Sequence, residues 1–591
     1  VLHSCLYNQY QTTIAMTSSR LNIRRRSIAE HQLPADLSPL IQRLYASRGV
    51  VKPEQLNLGA ANLLKPKFKG MSEAVKVLEQ GLNEQRNIVI VGDFDCDGAT
   101  SSALMVHGLR AMGAKRVQYL VPNRFDYGYG LSPQVVEEVA AMGGELLITV
   151  DNGISSVSGV AAANARGMQV IVTDHHLPGS EVPDAAAIVN PNQDGCDFPS
   201  KNLAGVGVAF YLLLALRAAL TEHGWFTRLG IAAPNMGEYL DLVALGTVAD
   251  VVALDENNRV LVHQGLQRMR AARVRPGIQA LLDISQRNQS RLVASDLGFA
   301  LGPRLNAVGR LDDMSMGVAC LLSENLDEAR KLAAMMDDLN RERKAIEASM
   351  QNEALATLTK INISDGELPN GLVLHQDDWH QGVVGLVASR IKERYYRPVI
   401  AFAEAGDDEL KGSGRSIPGV HLRDLLEEVD RQHPGIIDKF GGHAMAAGLS
   451  LTKSALAPFK QAFEAIVADW VSPELLTGEI VSDGELNATE LTLLIAEQVR
   501  SAGPWGQSFP EPLFDGEFRV VQQRLVGEKH LKLVLSADEG RTLIDAIAFN
   551  IDLSVWPNAA INKVQLVYKL DINEWRGKQS LQLIVDKIAP L

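Results

Sequence analysis

The chain has 591 residues, which at roughly 100–200 residues per domain predicts about three or four domains. Its hydrophobic fraction of 46% and charged fraction of 21% are those of an ordinary globular protein, and no uninterrupted apolar run approaches the ~18–20 residues that span a bilayer, so no membrane association is expected. The net charge of −13 weighs against a basic nucleic-acid-binding surface, so any nucleic-acid path must be a local basic lining, or acids neutralised by metal.

The four cysteines, Cys5, Cys96, Cys196 and Cys320, show no CxxC spacing. Neither a zinc ribbon nor a disulfide framework is suggested, and a reduced compartment fits best. Residues 1–45 read as a tail with a basic segment, Arg24-Arg25-Arg26, and no apolar region follows those arginines as a signal peptide requires. The first fifteen residues, before Met16, carry no clear element and are given no function.

From about 75 to 275, helical patterns alternate with short apolar runs at 87–91, 145–150, 169–173 and 186–189. Such runs read as parallel strands buried on both faces, and the region 46–323 as a doubly wound α/β domain. Residues 324–364 place Leu326, Leu332, Met336, Leu339, Ile346 and Met350 at helical spacing among charges. That is either an ordinary surface helix or, because the pattern changes on both sides, a connector between two lobes. Residues 365–472 form a second, glycine-rich α/β segment. From 473 to the end, short runs at 518–521, 531–535, 543–549, 564–570 and 581–584 predict a small barrel of the OB type.

The chemistry is concentrated at strand ends. The run 87–91 leads into Gly92-Asp93-Phe94-Asp95-Cys96-Asp97-Gly98. Three carboxylates at alternate positions repel one another unless cations neutralise them. A calcium EF-hand loop begins in the same way, but it needs Glu at position twelve, which here is Leu104, and it does not follow a strand. The arrangement recurs. One strand ends in Asp151-Asn152-Gly153, another in Asp174-His175-His176, and the apolar stretch 240–249 ends in Asp250. Ligands of open α/β sheets sit at the carboxyl ends of strands. A single Asp there would be an ordinary helix cap, whereas four, one of them carrying two histidines, point to metal. Asp and His without Cys favour Mn²⁺ or Mg²⁺ over Zn²⁺, with enough ligands for two ions. The residues alone therefore indicate a metal-assisted hydrolase of phosphoesters or pyrophosphate.

This set of four motifs, in order and spacing, resembles the DHH phosphoesterase family. Further segments resemble its branch that degrades single-stranded DNA from a 5′ end: Pro122 to Leu131, Gly302-Pro303-Arg304-Leu305-Asn306 to Arg310, Trp379-His380 to Gly385, Ser413-Gly414-Arg415-Ser416, and Gly441-Gly442-His443. The resemblance covers almost the whole chain from about residue 20, and Phe94 stands where the family often has Tyr. It implies a catalytic lobe with a parallel sheet, a connector helix, a DHH-associated α/β lobe and a terminal OB-like barrel. It places the metal on Asp93, Asp95, Asp151, His175 and Asp250. It puts Asp93, Asp95, Asp97, Asp174 and His176 in the catalytic centre, with Asp97, Asp174 and His176 supporting the ligands and His176 within reach of substrate. Arg304, Asn306, Arg310, His380, Ser413, Arg415 and His443 are the substrate-binding candidates, suited to phosphate, with 412–416 suited to a 5′-phosphate. The implied activity is a cytoplasmic Mn²⁺- or Mg²⁺-dependent exonuclease that releases 5′-mononucleotides from single-stranded DNA. Its implied partners in repair and recombination are single-strand-binding protein and a helicase.

Other members of the family hydrolyse oligoribonucleotides, cyclic dinucleotides or pyrophosphate, and some relatives are non-catalytic DNA-bound scaffolds. The former lack the 304–310 motif and the terminal barrel, and the latter tend to lose ligands that are all present here. No phosphate role is assigned to Ala204-Gly205-Val206-Gly207, whose glycines suit tight helix–strand packing, and Trp505 is expected to be a packed side chain more than a base-stacking one.

Overall fold

The structure, a computed structural model, describes residues 20–123, 127, 130–365, 369–406, 408–553 and 555–591. The first fifteen residues, Met16, and Arg124, Phe125, Asp126, Gly128 and Tyr129 of the 122–131 motif lie outside them. The chain divides into two compact units, one of Asn57–Thr477 with Pro504–Pro510, the other of Val1–Leu56, Gly478–Gly503 and Glu511–Leu591. The strand β1 (Ile23–Arg25) belongs to the second unit, treated last.

The larger unit starts with β2 (Ile88–Gly92), β3 (Val117–Leu120), β4 (Leu146–Val150), β5 (Gln169–Thr173) and β6 (Ala187–Val189). They form a fully parallel sheet in the order β3-β2-β4-β5-β6. Strands β2 and β4 are buried at every position, which is why they read as continuous apolar runs. The sequence reading missed β3 because it is an edge strand whose Gln118 is exposed and whose Tyr119 is half-buried. Chain connections leave β2 toward β3 on one side, while β4 lies on the other, so the carboxyl ends of β2 and β4 flank the switch point where such sheets bind ligands.

Two buried apolar helices bear on the sequence reading, and the second corrects it. The helix Gly205–Glu222 is, by length and composition, apolar enough to cross a membrane, but Arg217 interrupts its apolar run, in keeping with the sequence reading that no uninterrupted run is long enough. Here it is a core helix, packed against the helices Cys96–Ala111 and Leu240–Ala249. The stretch ending in Asp250, grouped above with strand ends, is itself that second helix. It is buried nearly all round, so its apolar run carries no period that separates helix from strand.

The helix Leu326–Asp365, 40 residues long, is a connector in its contacts and not a surface helix. It packs on the helix Gly302–Leu311 near its start and on the helix Val384–Tyr395 further along. Buried polar side chains fasten both ends of this span. Asp337 accepts from Arg304 Nε at 2.8 Å, and Glu347 accepts from Arg390 Nε at 3.0 Å.

Beyond it, β7 (Leu372–His375), β8 (Val399–Glu404), β9 (Glu409–Arg415), β10 (Lys439–Gly442) and β11 (Ala446–Thr452) form a sheet in the order β10-β11-β9-β8-β7, parallel only between β7 and β8. One face, through Ile400, Phe402, Leu410, Leu449 and Leu451, shares a core with the helices Leu422–Gln432 and Leu456–Trp470. The other face is covered at β7 and β8 by the connector helix and Val384–Tyr395, through Leu372, Leu374, Val399 and Ala401. On the strands β9, β11 and β10 that face stays largely open.

In the smaller unit, β12 (Ile480–Ser482) pairs in parallel with β1. The strands β13 (Phe514–Val526), β14 (His530–Ser536), β15 (Ile544–Ala548), β16 (Lys563–Trp575) and β17 (Lys578–Pro590) close into the expected barrel. Its core takes in Leu40, Ile41 and Leu44 of the helix Pro39–Ala46. Arg48 and Asp483, both buried, form a two-pronged pair at 2.8 Å. The basic run is neutralised locally, Arg24 by Glu479 at 2.7 Å, Arg25 by Asp515 at 2.7 Å and Arg26 by Asp483 at 3.5 Å. The described residues before 46, read from sequence as a tail, are thus part of the barrel unit. In the larger unit Trp505 stacks on Phe509, with ring centroids 5.1 Å apart, as a packed side chain.

Candidate metal centre and phosphate groove

Local structure brings the acids together. Asp93 follows β2, Asp151 follows β4 and Asp174 follows β5, so three adjacent strand ends deliver them to one edge. Asp250 arrives from the C-cap of the helix Leu240–Ala249. The backbone is bent to achieve this: Asp151 has φ +63° and Val251, beside Asp250, has φ +61°. A β-branched residue in the left-handed region is an outlier, and such strain costs on the order of 1–3 kcal/mol unless the surroundings impose it. Close approach also explains Gly205, where a Cβ would fall 2.6 Å from the Asp151 Cβ. That glycine packs helix against strand end, in keeping with its sequence reading.

The ligand atoms converge. Asp93, Asp95 and Asp151 offer oxygens within 4.8 Å of one another, as do the donors of Asp151, His175 and His176 and those of Asp97, His175 and Asp250. Asp151 and His175 each belong to two of these groups. His175 Nε2 lies 3.1 Å from Asp151 Oδ1 and 3.5 Å from Asp250 Oδ2. All five residues assigned to metal from the sequence are therefore in the cluster, with Asp97 and His176 beside them.

Crowding sets the electrostatics. Burial and then the neighbouring carboxylates push Asp151 and Asp250 well above the usual carboxylate range. Burial and then Asp95 push Asp97 up to about 7. Burial holds His175 down at about 4, so its imidazole is neutral and available as a ligand. Its Nε2 and Asp250 Oδ2 are buried and, among the described residues, make no hydrogen bond, although they face each other. Several acids held away from their ionised form, next to a neutral imidazole with an unused nitrogen, fit a divalent cation, whose charge favours the ionised form of every ligand.

Other candidates hold this cluster in place. Asp174 is saturated. Its Oδ2 accepts from Ile154 N at 2.9 Å, and its Oδ1 accepts from the backbone N–H of His175 and His176 and from the His176 ring at 2.7 Å. Burial opposes its charge, yet the His176 contact brings it below the ordinary Asp value. His176 is opposed by burial too, and Asp174 raises it above an ordinary imidazole. Asp174 therefore positions His176 and favours its protonated form, and is itself fully buried. Asp95 caps the helix Cys96–Ala111 through one oxygen, accepting from Asp97 N and Gly98 N. Asp97 accepts from Gly205 N at 2.6 Å and Val206 N at 3.0 Å, so it caps the helix Gly205–Glu222 from within the cluster.

A groove of about 790 Å³ runs from Phe94 and Asp95 past Asn306 and Arg310 to the open face of β9, β11 and β10. Arg310 reaches it while donating to the Gly382 carbonyl at 2.9 Å. Asn306 lines it and also accepts from Cys96 N at 2.7 Å, fastening the acid loop. Ser413 and Arg415 line it next to Gly385. Arg415 donates to Ser413 Oγ at 3.0 Å and to the Gly414 carbonyl at 2.7 Å. Burial lowers Arg415 from its ordinary value, and no carboxylate among the described residues compensates it. A largely buried guanidinium of this kind is an anion site. His443 lies close enough to His176 that burial and then the His176 charge lower it. His380 accepts from Gly382 N at 3.1 Å, beside the Arg310 contact.

Arg304 is placed differently. It points to the connector helix, bound to Asp337 at 2.8 Å and to the Ala300 carbonyl, and is not on the groove wall. The sequence reading also missed Lys411 and Lys439, which line the groove from β9 and β10. A separate group, His375, Asp377 and Glu404, lies outside this site, and its Glu404 is already paired with Lys453 at 2.6 Å.

Three segments of the chain match models of known families. Residues 87–247 match the model of the DHH family, N-terminal domain, residues 368–469 that of the DHHA1 domain, and residues 482–587 that of the RecJ OB domain. The single-stranded-DNA-specific exonuclease RecJ of Salmonella typhimurium is 59% identical over 96% of this chain and 99% of that protein. The protein of the same description from Escherichia coli is 57% identical over 97% of this chain and 100% of its own. The crystal structure of RecJ in complex with Mn²⁺ from Thermus thermophilus superimposes with a TM-score of 0.77 at 29% identity, over 96% of this chain and 79% of that one, and the Mg²⁺ complex gives 0.72 at 27% over the same shares. With matches to all three domain models and relatives 57–59% identical over nearly the whole of both chains, the chain belongs to the RecJ family of DHH exonucleases.

Proposed function

We propose that this protein is a Mn²⁺- or Mg²⁺-dependent exonuclease that removes 5′-mononucleotides from single-stranded DNA in the 5′→3′ direction. The observation that carries the polarity is Arg415, a largely buried guanidinium with no counter-charge among the described residues, on the same groove as Asp95. A terminal 5′-phosphate supplies the missing charge.

The residues divide the work. Arg415 and Ser413 grip the 5′-phosphate and Arg310 steadies the first nucleotide. That sets the next phosphodiester over the acid cluster, and positioning of this kind is a large part of phosphoryl-transfer catalysis. Asp93, Asp95, Asp151, His175 and Asp250 are the residues that would hold the divalent cations. When bound, such ions activate a water and stabilise the leaving oxygen. Asp174 orients His176 and favours its protonated form, which makes this imidazole the group to supply a proton toward the departing 3′-oxygen. Asp97 and Asn306 fix the acid loop so that this geometry exists before substrate arrives.

In the cell we assign it to the cytoplasm, to DNA repair and recombination, working on strands opened by a helicase and coated by single-strand-binding protein. The direct test uses matched single- and double-stranded DNA, labelled at either end, with Mn²⁺. Immediate release of label as mononucleotide from the 5′ end of single strands alone supports the proposal. Equal attack on duplex, or initial release from the 3′ end, refutes it.

A further inference from the structure

The open face of the second lobe carries more than the 5′-phosphate grip. Residues paired directly across strands share a face. Ser413 on β9 pairs with Gly448 on β11, which pairs with Gly441 on β10, and this row lies beside Arg415. The next row along, two residues or about 7 Å away, pairs Lys411 with Ser450 and Ser450 with Lys439.

Two features of these rows are not explained by folding. A Cβ at Gly448 would meet nothing nearer than the Gly412 carbonyl at 4.0 Å, and a Cβ at Gly441 would meet nothing within that distance. Neither glycine has a positive φ, so neither the backbone nor the packing requires glycine there. They leave a bare floor in the groove. Lys411 and Lys439 are both exposed, both line the groove, and among the described residues neither has an ion pair. By contrast Lys453, nearby on the same lobe, is bound to Glu404. Glu409 lines the groove one further step along β9, so the cationic stretch ends after a single row.

We propose that Lys411, Ser450 and Lys439 form a second phosphate subsite, one step along the sheet from Ser413 and Arg415, which holds one further phosphate of a 5′-phosphorylated strand laid across the glycine floor. Two ammonium groups flank a hydroxyl, so a phosphate there gains two charged donors and one neutral one. The carboxylate of Glu409 limits the site to one such group. The proposal rests on the reading of Arg415 as the grip for the terminal phosphate. The bound group is either an internucleotide phosphate or the second phosphate of a 5′-polyphosphate end.

The test is steady-state digestion of a 5′-phosphorylated oligothymidylate with Mn²⁺ at several salt concentrations. For K411A/K439A the expected result is KM raised about tenfold, kcat within about twofold, and a salt dependence of log KM shallower by about 0.7, the loss of one single-strand phosphate contact. K411R/K439R restores both values. G448V, which adds a strand-favouring side chain to the floor, keeps the melting temperature and raises KM. Unchanged KM and salt slope in K411A/K439A, or unchanged KM in G448V, overturns the subsite. Its failure is distinct from failure of the grip. K411A/K439A is expected to retain the preference for 5′-phosphate over 5′-hydroxyl ends, whereas a wild type without that preference refutes the grip itself. An uncharged methylphosphonate at the second linkage that raises KM for wild type but not for K411A/K439A identifies an internucleotide phosphate. A 5′-triphosphate that lowers KM only for wild type identifies a terminal one. The absence of both differences overturns the proposal.

Discussion

The acid centre at the ends of β2, β4 and β5 and the open face of β9, β11 and β10 use unbalanced charge with opposite signs. In the first, carboxylates crowd so closely that Asp151 and Asp250 are driven toward their protonated forms. In the second, Arg415 is largely buried with no carboxylate among the described residues. Elsewhere in the same unit, charges of similar burial are matched, as Arg275 is with Asp241 at 2.9 Å and Arg343 with Glu347 at 2.5 Å. Unmatched charge marks the places where a ligand completes the structure, and the sign names the ligand, cations in one and phosphates in the other.

The sharpest way to break the comparison is to remove charge from the first region. Asp95→Ala is expected to cut turnover by more than about a thousandfold, because the ligands act as a unit. Circular dichroism should show the fold intact, with a modest loss of stability of about 1 kcal/mol from the lost helix cap. Full activity with Mn²⁺ would remove Asp95 from the metal set. Next in size is Asp337→Ala, which probes a matched charge. Asp337 holds Arg304, and Arg341 approaches it from the next turn. Breaking such a buried pair should destabilise the protein by about 3 kcal/mol. The melting temperature should fall, and kcat for the protein still folded should stay close to wild type. A stable variant with raised KM would instead return Arg304 to the substrate.

That contrast shows where the sequence was legible. Arg304, Asn306 and Arg310 look like one phosphate motif when read in a line. On a helix of about 100° per residue, Asn306 and Arg310 lie roughly 200° and 240° round from Arg304, so only those two share a face. The structure agrees, with Asn306 and Arg310 on the groove and Arg304 turned to the connector. The strand-end acids were readable because carboxylates at the ends of buried apolar runs have few structural reasons to be there. Asp250 was found for a partly wrong reason, since its apolar run is a core helix. Lys411 and Lys439 were invisible, because an isolated lysine reads as solvated surface until strand register places two of them about one hydroxyl.

Arg415→Ala, on the second region, is expected to cost about 2 kcal/mol in kcat/KM for 5′-phosphorylated strands, the scale of a charged hydrogen bond. It should cost much less for 5′-hydroxyl ends. Competition between the two ends in one reaction measures this, and an unchanged preference would assign the phosphate elsewhere.

The smallest effect is also the one that tests whether the first region is anionic by design. Asp151 and Asp250 are raised well above the usual carboxylate range, and Asp97 to about 7, in the protein without metal. At neutral pH the cluster therefore carries protons that an unstrained set of aspartates would have lost. A cation requires ionised carboxylates, so its binding must expel those protons. Affinity for Mn²⁺ should rise with pH, by about tenfold per unit for each proton released. His175 adds nothing to this slope near neutrality, because its value of about 4 leaves it already neutral. Calorimetric titration with Mn²⁺ at pH 7, in buffers of different ionisation enthalpy, should register at least one proton released. Asp97→Asn should release fewer. A heat independent of the buffer would mean that the acids are ionised before metal arrives, and that the two regions do not share the same logic of charge left for the ligand to balance.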